Sequence, residues 1–270
     1  MVSQDENVGT VELLLGDSRD AATLRLTAGD PGVAVIRQFV GGMAEALGIH
    51  PAGAEDVKLA ATEAATNALM HAWPDGEVGR IEVVLLRDSG GVVLTISDDG
   101  TGVTGEGHDA EIGFGLSLIR AVADDVDVRE AKGGGTRVEA RFRDLPRAEA
   151  VTDSGHSPAL RRVLAMMAAQ CGFTMDRLSD AVLVAETLAA HAGAHSVDGR
   201  VRVAAEDGAG DLRLLVGPLT RGGGQALLDE STLPAFGGVL ERLADGVEVD
   251  RGIGPAGPCE YLRVRISSRR

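Results

Sequence analysis

Glu63, Asn67 and His71 recur at intervals of four within the segment Glu55–Trp73. This segment contains no Gly or Pro and is rich in Ala, so it favours an α-helix. Residues four apart lie on one face of a helix, a turn from each other. In that arrangement an amide oxygen can ligate a hard cation, and a carboxylate can accept the proton of an attacking hydroxyl. The same row is also typical of a solvated helix face, so the residues that follow must distinguish the two interpretations.

Several further elements must position these side chains. A helix is predicted before them, because apolar residues recur at helical spacing between Pro31 and Leu47. After them, two apolar, β-branched stretches flank a turn of Asp, Ser and Gly, which predicts a β-hairpin. The other predicted elements are strands over Val11–Leu15, Ala22–Thr27, Val126–Arg129 and Thr136–Phe142, and a helix from Gly113 to about Ala123.

Glycine-rich motifs stand where these elements begin or end. Asp98-X-Gly100-X-Gly102 follows the second hairpin strand, Gly113-X-Gly115-Leu116 opens a helix, and Gly135-Thr136 opens the last strand. An Asp at a strand end can meet the edge of a base while glycines let the backbone approach a ligand, and the N–H groups of a helix start can face phosphates. Each motif alone could be an ordinary turn. Their combination in this order is specific.

The series of motifs, beginning with Glu63-X-X-X-Asn67, resembles the Bergerat-fold ATP-binding family, also called the GHKL or histidine-kinase-like ATPases. The compact segment between the second and third motifs, and the ending His71-Ala72-Trp73, are more similar to the bacterial anti-sigma factor serine/threonine kinases. The resemblance covers Thr23–Arg143. It implies an α+β fold, a two-layer α/β sandwich with helices on one face of a mixed, mostly antiparallel sheet.

The resemblance also implies a role for each motif residue. Glu63 would be the general base for a serine hydroxyl, and Asn67 would be the ligand of a Mg²⁺ ion that bridges the phosphates of ATP or ADP. Asp98 would accept the adenine amino group. The remaining cofactor-binding positions would be Gly100 and Gly102 at the floor of the pocket, Gly113, Gly115 and Leu116 near the phosphates, and Thr136, supporting Asp98 through water.

The segment Val103–Ile112 would be the lid over the phosphates. Phosphoryl transfer needs charge neutralisation beyond the metal, often by Arg or Lys. Val103–Ser117 contains neither, and His108 is its single potential cation; Arg37 or a partner's side chain could supply the charge instead. Two functions therefore stay open: an ATP-dependent serine/threonine kinase, and a nucleotide-sensing, protein-binding module without phosphotransfer.

Composition limits the partners. The net charge of −15 over 270 residues argues against nucleic acid. No signal segment or membrane-length apolar run is evident, so we expect no membrane and a cytoplasmic location. The two cysteines form no disulfide framework. By resemblance, the expected partners are a sigma factor and a small antagonist (anti-anti-sigma) protein phosphorylated on Ser or Thr.

The second half of the chain repeats the first. Apolar residues of the helix over 31–47 recur 124 residues later, as Ile36 does at Leu160 and Val40 at Leu164, and Gly79-Arg80-Ile81 recurs at Gly199-Arg200-Val201. The predicted site residues do not recur, because the position that corresponds to Asp98 in the second copy, 120 residues later, is Pro218. We therefore predict an ATP-binding domain over 1–144, a linker over 145–157 and a degenerate, nucleotide-free copy over 158–270.

Two features of the second copy have further interpretations. His191 and His195 stand four apart, as zinc ligands can, but no third ligand is evident and His195 falls opposite His71. The fused copy could imitate, within one chain, the homodimer that the resemblance implies. Two independent domains on a string are the alternative to this intramolecular pseudo-dimer.

Overall fold

The structure is a computed structural model that describes residues 10–15, 21–28, 32–74, 78–102, 113–146, 157–198, 200–208, 210–233, 237–254 and 256–268. The chain forms two compact units. The N-terminal unit comprises residues 18–159, and the C-terminal unit comprises residues 160–270 together with 1–17. Within the described ranges, no helix combines the length and apolarity needed to span a membrane.

Both units contain helices and strands, several of them in consecutive pairs. In chain order they are β1 (Thr10–Leu15), β2 (Ala21–Thr27), α1 (Gly32–Ala46), α2 (Pro51–His71), β3 (Arg80–Asp88), β4 (Gly91–Asp98), α3 (Gly113–Val122), β5 (Asp125–Glu130), β6 (Thr136–Phe142), α4 (Ser157–Gln170), α5 (Met175–His191), β7 (Val201–Gly208), β8 (Asp211–Leu219), α6 (Gly223–Glu230), β9 (Thr232–Leu233), β10 (Gly237–Gly238), α7 (Val239–Leu243), β11 (Gly246–Gly254) and β12 (Gly257–Ser267). A short 3₁₀ helix, Ala192–His195, extends α5.

The N-terminal unit has an antiparallel sheet in the order β2-β3-β4-β6-β5. Alternate residues of β3 (Ile81, Val83, Leu85) are fully buried, which gives the sheet one apolar face. A row of small residues on one face of α2 is buried as well: Val57, Ala61, Ala64 and Ala68. These features confirm the predicted sandwich of helices on an antiparallel sheet.

The C-terminal unit has the same strand order, β1-β7-β8-β12-β11, again antiparallel throughout. Its first strand is β1, which pairs with β7 from Thr10 opposite Glu206 to Leu15 opposite Val201. This strand was predicted to belong to the first domain, 1–144, and that prediction is wrong. Local propensity predicts a strand here, but the choice of sheet depends on partners almost two hundred residues away. The first unit is thus inserted between the first strand and first helix of the second.

The helix boundaries follow local chemistry. Helix α2 begins at Pro51, four residues before the predicted start, because Pro is well tolerated in the first turn. His50 caps it, its Nδ1 accepting from the Ala52 N–H at 3.3 Å. Gly48 has φ 64°, as expected for the glycine that ends α1. Pro31 and the lid Val103–Ile112 lie outside the described residues.

The predicted linker begins in packed structure. The backbone N–H of His50 donates to the Pro146 carbonyl at 2.7 Å. A Cβ on Gly53 would lie 2.8 Å from the Leu145 side chain, so Leu145 packs directly on the first turn of α2. Residues 145 and 146 therefore belong to the N-terminal unit. The remainder of the linker, up to residue 156, is outside the described ranges.

A buried arginine holds the C-terminal unit together. Arg177, on α5, is 4% exposed and forms ion pairs with Asp180 and Asp245. Its Nε donates to the Ser267 carbonyl and its Nη1 to the Leu243 carbonyl, each at 2.9 Å. A buried guanidinium needs such complete pairing, because removing it from water is costly. No sequence pattern predicts this cluster, because its members are up to ninety residues apart.

Candidate functional site

Asp98 lies at the end of β4 and is 8% exposed. Its Oδ1 accepts two backbone hydrogen bonds, from the N–H of Gly100 and from that of Thr136, each at 3.0 Å. The first bond closes the turn after β4, and the second ties that turn to the start of β6. Thr136, predicted to support Asp98 through water, contacts it directly through its own N–H.

Burial raises the pKa of the Asp98 carboxyl above its ordinary value, and the hydrogen bonds from Thr136 and Gly100 lower it only in part. Asp99, its neighbour in sequence, adds a repulsive negative charge that also raises this pKa. The ionised form of Asp98 is therefore disfavoured, and a ligand that donates a hydrogen bond to this carboxylate stabilises it.

Two glycines with left-handed backbone enclose Asp98. Gly135 has φ +81°, and a Cβ there would lie 2.1 Å from the Asp98 carbonyl oxygen and 2.8 Å from Oδ1. Gly102 has φ +76°, and its Cβ would lie 3.1 Å from the Gly135 carbonyl oxygen. A side chain at Gly135 would therefore collide with the carboxylate. The glycine pattern of the sequence reflects close backbone approach around this residue.

Gly100 connects the turn to the end of α2. A Cβ there would lie 2.3 Å from the Ala72 carbonyl oxygen, so only a glycine fits. That oxygen accepts the Thr101 N–H at 2.9 Å. Gly100 was predicted to floor the pocket; it supports the turn from behind, whereas Gly102 lines the cavity itself.

A second contact fixes the same end of α2. The indole of Trp73, the single tryptophan of the chain, covers Gly79, where a Cβ would lie 1.8 Å from Cε2. The N–H of the next residue, Arg80, donates to Asp99 Oδ1 at 2.8 Å. The end of α2, the start of β3 and the turn after β4 are thereby joined. The sequence signal for this contact was weak, because it consisted of one glycine six residues after the tryptophan.

Glu63, Asn67 and Gly115 come together at the start of α3. A Cβ built on Gly115 would lie 3.1 Å from Glu63 Oε2 and 3.1 Å from both terminal atoms of the Asn67 amide. Both side chains are half-buried. The predicted pairing of a carboxylate and an amide on one helix face therefore exists, directed at the glycine motif. Gly113 is the first residue of α3, as predicted.

A cavity in the N-terminal unit connects these groups. Asn67 and Asp98 stand on its wall, as do Thr136 and Leu116. The remaining lining residues are mainly small or apolar: Ala64, Ala68, His71, Ala72, Ile96, Gly102, Ile119, Val128 and Val138. An apolar pocket with a few convergent polar groups is the usual form of a small-molecule site. The apolar members were not predicted, because their spacing matches that of ordinary core positions.

The donor set fits a magnesium nucleotide. Asp98 and the small residues beside it suit a flat, apolar base with an exocyclic amino group, and Asn67 offers an amide oxygen of the kind Mg²⁺ accepts. Gly115 leaves room at the start of α3, where backbone N–H groups favour anions. Among the described residues that line the cavity, His71 is the single basic side chain. Arg37 lies on α1 and donates to Thr62 Oγ1 at 3.0 Å, next in sequence to Glu63.

The histidines of the second copy have a different setting. His195 Nε2 lies 2.9 Å from Glu230 Oε2, and His191 Nδ1 lies 3.7 Å from the same oxygen. Nowhere in the described part of the chain do three His, Cys, Asp or Glu residues form a group that could hold a metal ion. The zinc interpretation therefore has no support here. Cys171 is partly exposed rather than fully buried, while Cys259 is in the core.

Comparison with known proteins matches the same region. The family described as histidine kinase-like ATPase domain matches residues 26–142. A serine-protein kinase RsbW from Listeria monocytogenes is 33% identical over 129 residues, 42% of this chain and 82% of the relative. RsbW of Oceanobacillus iheyensis is 32% identical over the same shares. RsbW of Bacillus pumilus is 28% identical over 152 residues, 50% of this chain and 93% of the relative.

A solved structure of RsbU and RsbW domains from Mycobacterium tuberculosis aligns with 98% of this chain and 91% of its own, with a TM-score of 0.28 and 13% identity. The sequence relatives are matched over most of their length, and the matched region contains every motif that surrounds the cavity. The chain therefore belongs to the histidine kinase-like ATPase family.

Proposed function

We propose that the N-terminal unit binds Mg-ATP and Mg-ADP, and that the chain is a serine/threonine protein kinase of the anti-sigma type. Its proposed substrate is a small antagonist protein, and its proposed regulatory target is a sigma factor. The observation that carries this proposal is the convergence of Glu63 and Asn67, both 3.1 Å from the Cβ position of Gly115. A base, a metal ligand and an anion-favouring helix start are three of the parts that phosphoryl transfer uses.

Each residue has a separate task in this proposal. Asp98 accepts the adenine amino group, and Asn67 holds the magnesium ion, which would neutralise phosphate charge. Glu63 takes the proton of a Ser or Thr hydroxyl on the antagonist as that oxygen bonds to the γ-phosphorus. The bond from the γ-phosphorus to ADP breaks in the same exchange. The glycine at 115 keeps side-chain bulk away from the reacting groups.

The second candidate is a nucleotide-sensing module that binds its protein partners without phosphotransfer. The lining of the cavity favours it, because the described residues there include no Lys or Arg. Without such a cation, charge developing on the transferred group has less compensation. In this case ATP and ADP would differ only in how they bias the binding of the partner.

Labelled ATP and a candidate antagonist protein distinguish these functions. Glu63→Gln should keep nucleotide affinity and lose transfer to Ser or Thr by roughly 10²–10⁴-fold, because the general base is removed. Asn67→Ala should instead weaken magnesium-dependent nucleotide binding. Glu55→Gln is the matched control, two turns earlier on α2 and paired with Lys58 at 2.6 Å; it should change neither.

The outcomes lead to different conclusions. If the wild-type chain binds nucleotide but labels no antagonist, the sensing module is the correct function. If Glu63→Gln transfers phosphate at the wild-type rate, the general-base assignment is wrong. If neither ATP nor ADP binds, both functions are excluded.

A further inference from the structure

The two units can be aligned position by position through their sheets. The hairpin of β3 and β4 closes with Asp88 opposite Gly91, and that of β7 and β8 closes with Gly208 opposite Asp211. The next residue of β4 then pairs with Phe142, and the next residue of β8 pairs with Ile266. Residues of β4 and β8 therefore correspond from the hairpin turn as far as Val216, beyond which a β-bulge shifts β8 against β12. The pairing of β11 with β12 keeps its register through Glu260, as that of β5 with β6 does through Thr136.

Three residues that line the cavity have identifiable counterparts. Thr136 lies six residues before Phe142 on β6, and Glu260 lies six residues before Ile266 on β12, so these two residues correspond. Val128 pairs with Val138, and its counterpart Val249 pairs with Leu262.

The third counterpart comes from the helices. The residues that cap α2 and α5 are His50 and Thr174. Counting equally far from these caps, His71 corresponds to His195. The counterparts of the three cavity residues are therefore Glu260, Val249 and His195.

In the C-terminal unit these three counterparts surround the first turn of α6. The Gly224 N–H donates to Glu260 Oε2 at 3.1 Å. A Cβ on Gly224 would lie 2.6 Å from Val249 Cγ1, and one on Gly223 would lie 3.2 Å from His195 Cβ. Both glycines are buried. The space that is a cavity in the first unit is thus filled by backbone in the second.

The charges in this packing are also compensated internally. The first N–H groups of a helix carry partial positive charge and favour an anion. In α6 the buried carboxylate of Glu260 occupies that position. At the other end of α6, Glu230 Oε2 lies 2.9 Å from His195 Nε2. Leu227, in the middle of α6, is fully buried. By position in the sequence Pro218 corresponds to Asp98, and a proline side chain cannot accept a hydrogen bond from a base.

We infer that the first turn of α6 is a built-in occupant of the C-terminal unit's counterpart of the nucleotide cavity, held there by the Glu260 carboxylate. The C-terminal unit then binds no nucleotide and is packed without one, which leaves the cavity of the N-terminal unit as the proposed site. That the cavity of the first unit binds a nucleotide rests on the proposed function, whereas the occupation of the counterpart space by α6 does not.

Hydrogen exchange of the full chain, measured by mass spectrometry, tests this. In the free protein, peptides covering the first turn of α6 should exchange as slowly as the core strands β8 and β12, and Mg-ADP should leave them unchanged. Peptides around Gly102 and Gly115 should slow when Mg-ADP is added. Exchange in α6 as fast as in exposed loops, or slowed by Mg-ADP, would overturn the inference. So would titration to two nucleotides per chain.

A pair of variants tests the part played by Glu260. Glu260→Ala removes the acceptor of the Gly224 N–H, so exchange in the first turn of α6 should accelerate at least about tenfold. Glu248→Ala, an exposed glutamate on β11, is the control and should leave that exchange unchanged. Equal exchange in the two variants would show that Glu260 does not hold α6. If Glu260→Ala fails to fold, the wild-type exchange pattern still decides the inference.

The inference and the proposed function fail separately. A chain that binds no ADP but protects α6 refutes the function and leaves the occupied cavity standing. A chain that binds one ADP in the first unit but exchanges freely at α6 refutes the inference alone.

Discussion

Replacement of Asp98 by Asn separates the structural role of this residue from its proposed role in binding adenine. The carboxylate accepts two backbone N–H groups through Oδ1, and both are donors. An amide must therefore present its oxygen to them, which directs its NH₂ group to the position of Oδ2. The structural contacts are kept, while an acceptor for the adenine amino group becomes a donor.

The expected loss of nucleotide affinity in Asp98→Asn follows from the hydrogen bond that the variant cannot make. Losing the acceptor of a buried amino group costs about 1–3 kcal/mol, so affinity for Mg-ADP should fall about 5- to 150-fold. Stability without nucleotide should be equal or higher, because the variant no longer buries a charge. The opposite changes in affinity and stability distinguish this explanation from simple misfolding.

The assay uses the chain's own fluorophore. Trp73 follows Ala72, which lines the cavity, so its emission can report nucleotide titration and denaturant unfolding of the N-terminal unit. Calorimetry with Mg-ADP provides an independent affinity. The matched control is Asp99→Asn, because exposed Asp99 keeps its bond to the Arg80 N–H as an amide. Wild-type affinity in Asp98→Asn would refute the assignment of Asp98 to the adenine amino group.

The same substitution should alter the pH dependence. The pKa of Asp98 is raised in the folded protein, so the folded state binds this proton more tightly than the unfolded chain does. Its contribution to stability is therefore full below the unfolded pKa and is lost as pH rises through the folded pKa. Nucleotide affinity should change oppositely, weakening as acid protonates the carboxylate. Asp98→Asn should lack both effects in denaturation and binding measured from pH 3 to 7, a window set by the ordinary pKa of about 3.9 and this upward shift.

Three other changes test the fold around the site. Gly115→Ala should lower nucleotide affinity and phosphotransfer together without unfolding the chain, because its Cβ would crowd Glu63 and Asn67 at 3.1 Å; unchanged binding would contradict the geometry. Deletion of residues 2–15 removes β1 and should destabilise the C-terminal unit, seen as faster hydrogen exchange in β7, while calorimetry shows ADP binding retained. Arg177→Met should cost about 3–5 kcal/mol in chemical denaturation, because Asp180 and Asp245 lose their buried partner. A loss under 1 kcal/mol would mean that the cluster is solvated.

Local features of this protein were determined by the sequence itself. The spacing of Glu63 and Asn67 places them on one helix face whatever surrounds that helix, since helical geometry is a property of adjacent residues. The hairpin of β3 and β4 follows from two apolar stretches around a short polar turn. The glycines at 102 and 135 are local features too, because a positive φ and close backbone approach select glycine.

Only the tertiary structure decided which distant groups meet. Local propensity made residues 10–15 a strand, but the pairing with β7 assigned that strand to the C-terminal unit. The glycines at the start of α6 pack against Glu260 and Val249, residues that follow them by 25 or more positions in the chain. The physical reason is that chain closure between residues far apart depends on the packing of the whole unit, which no local pattern encodes.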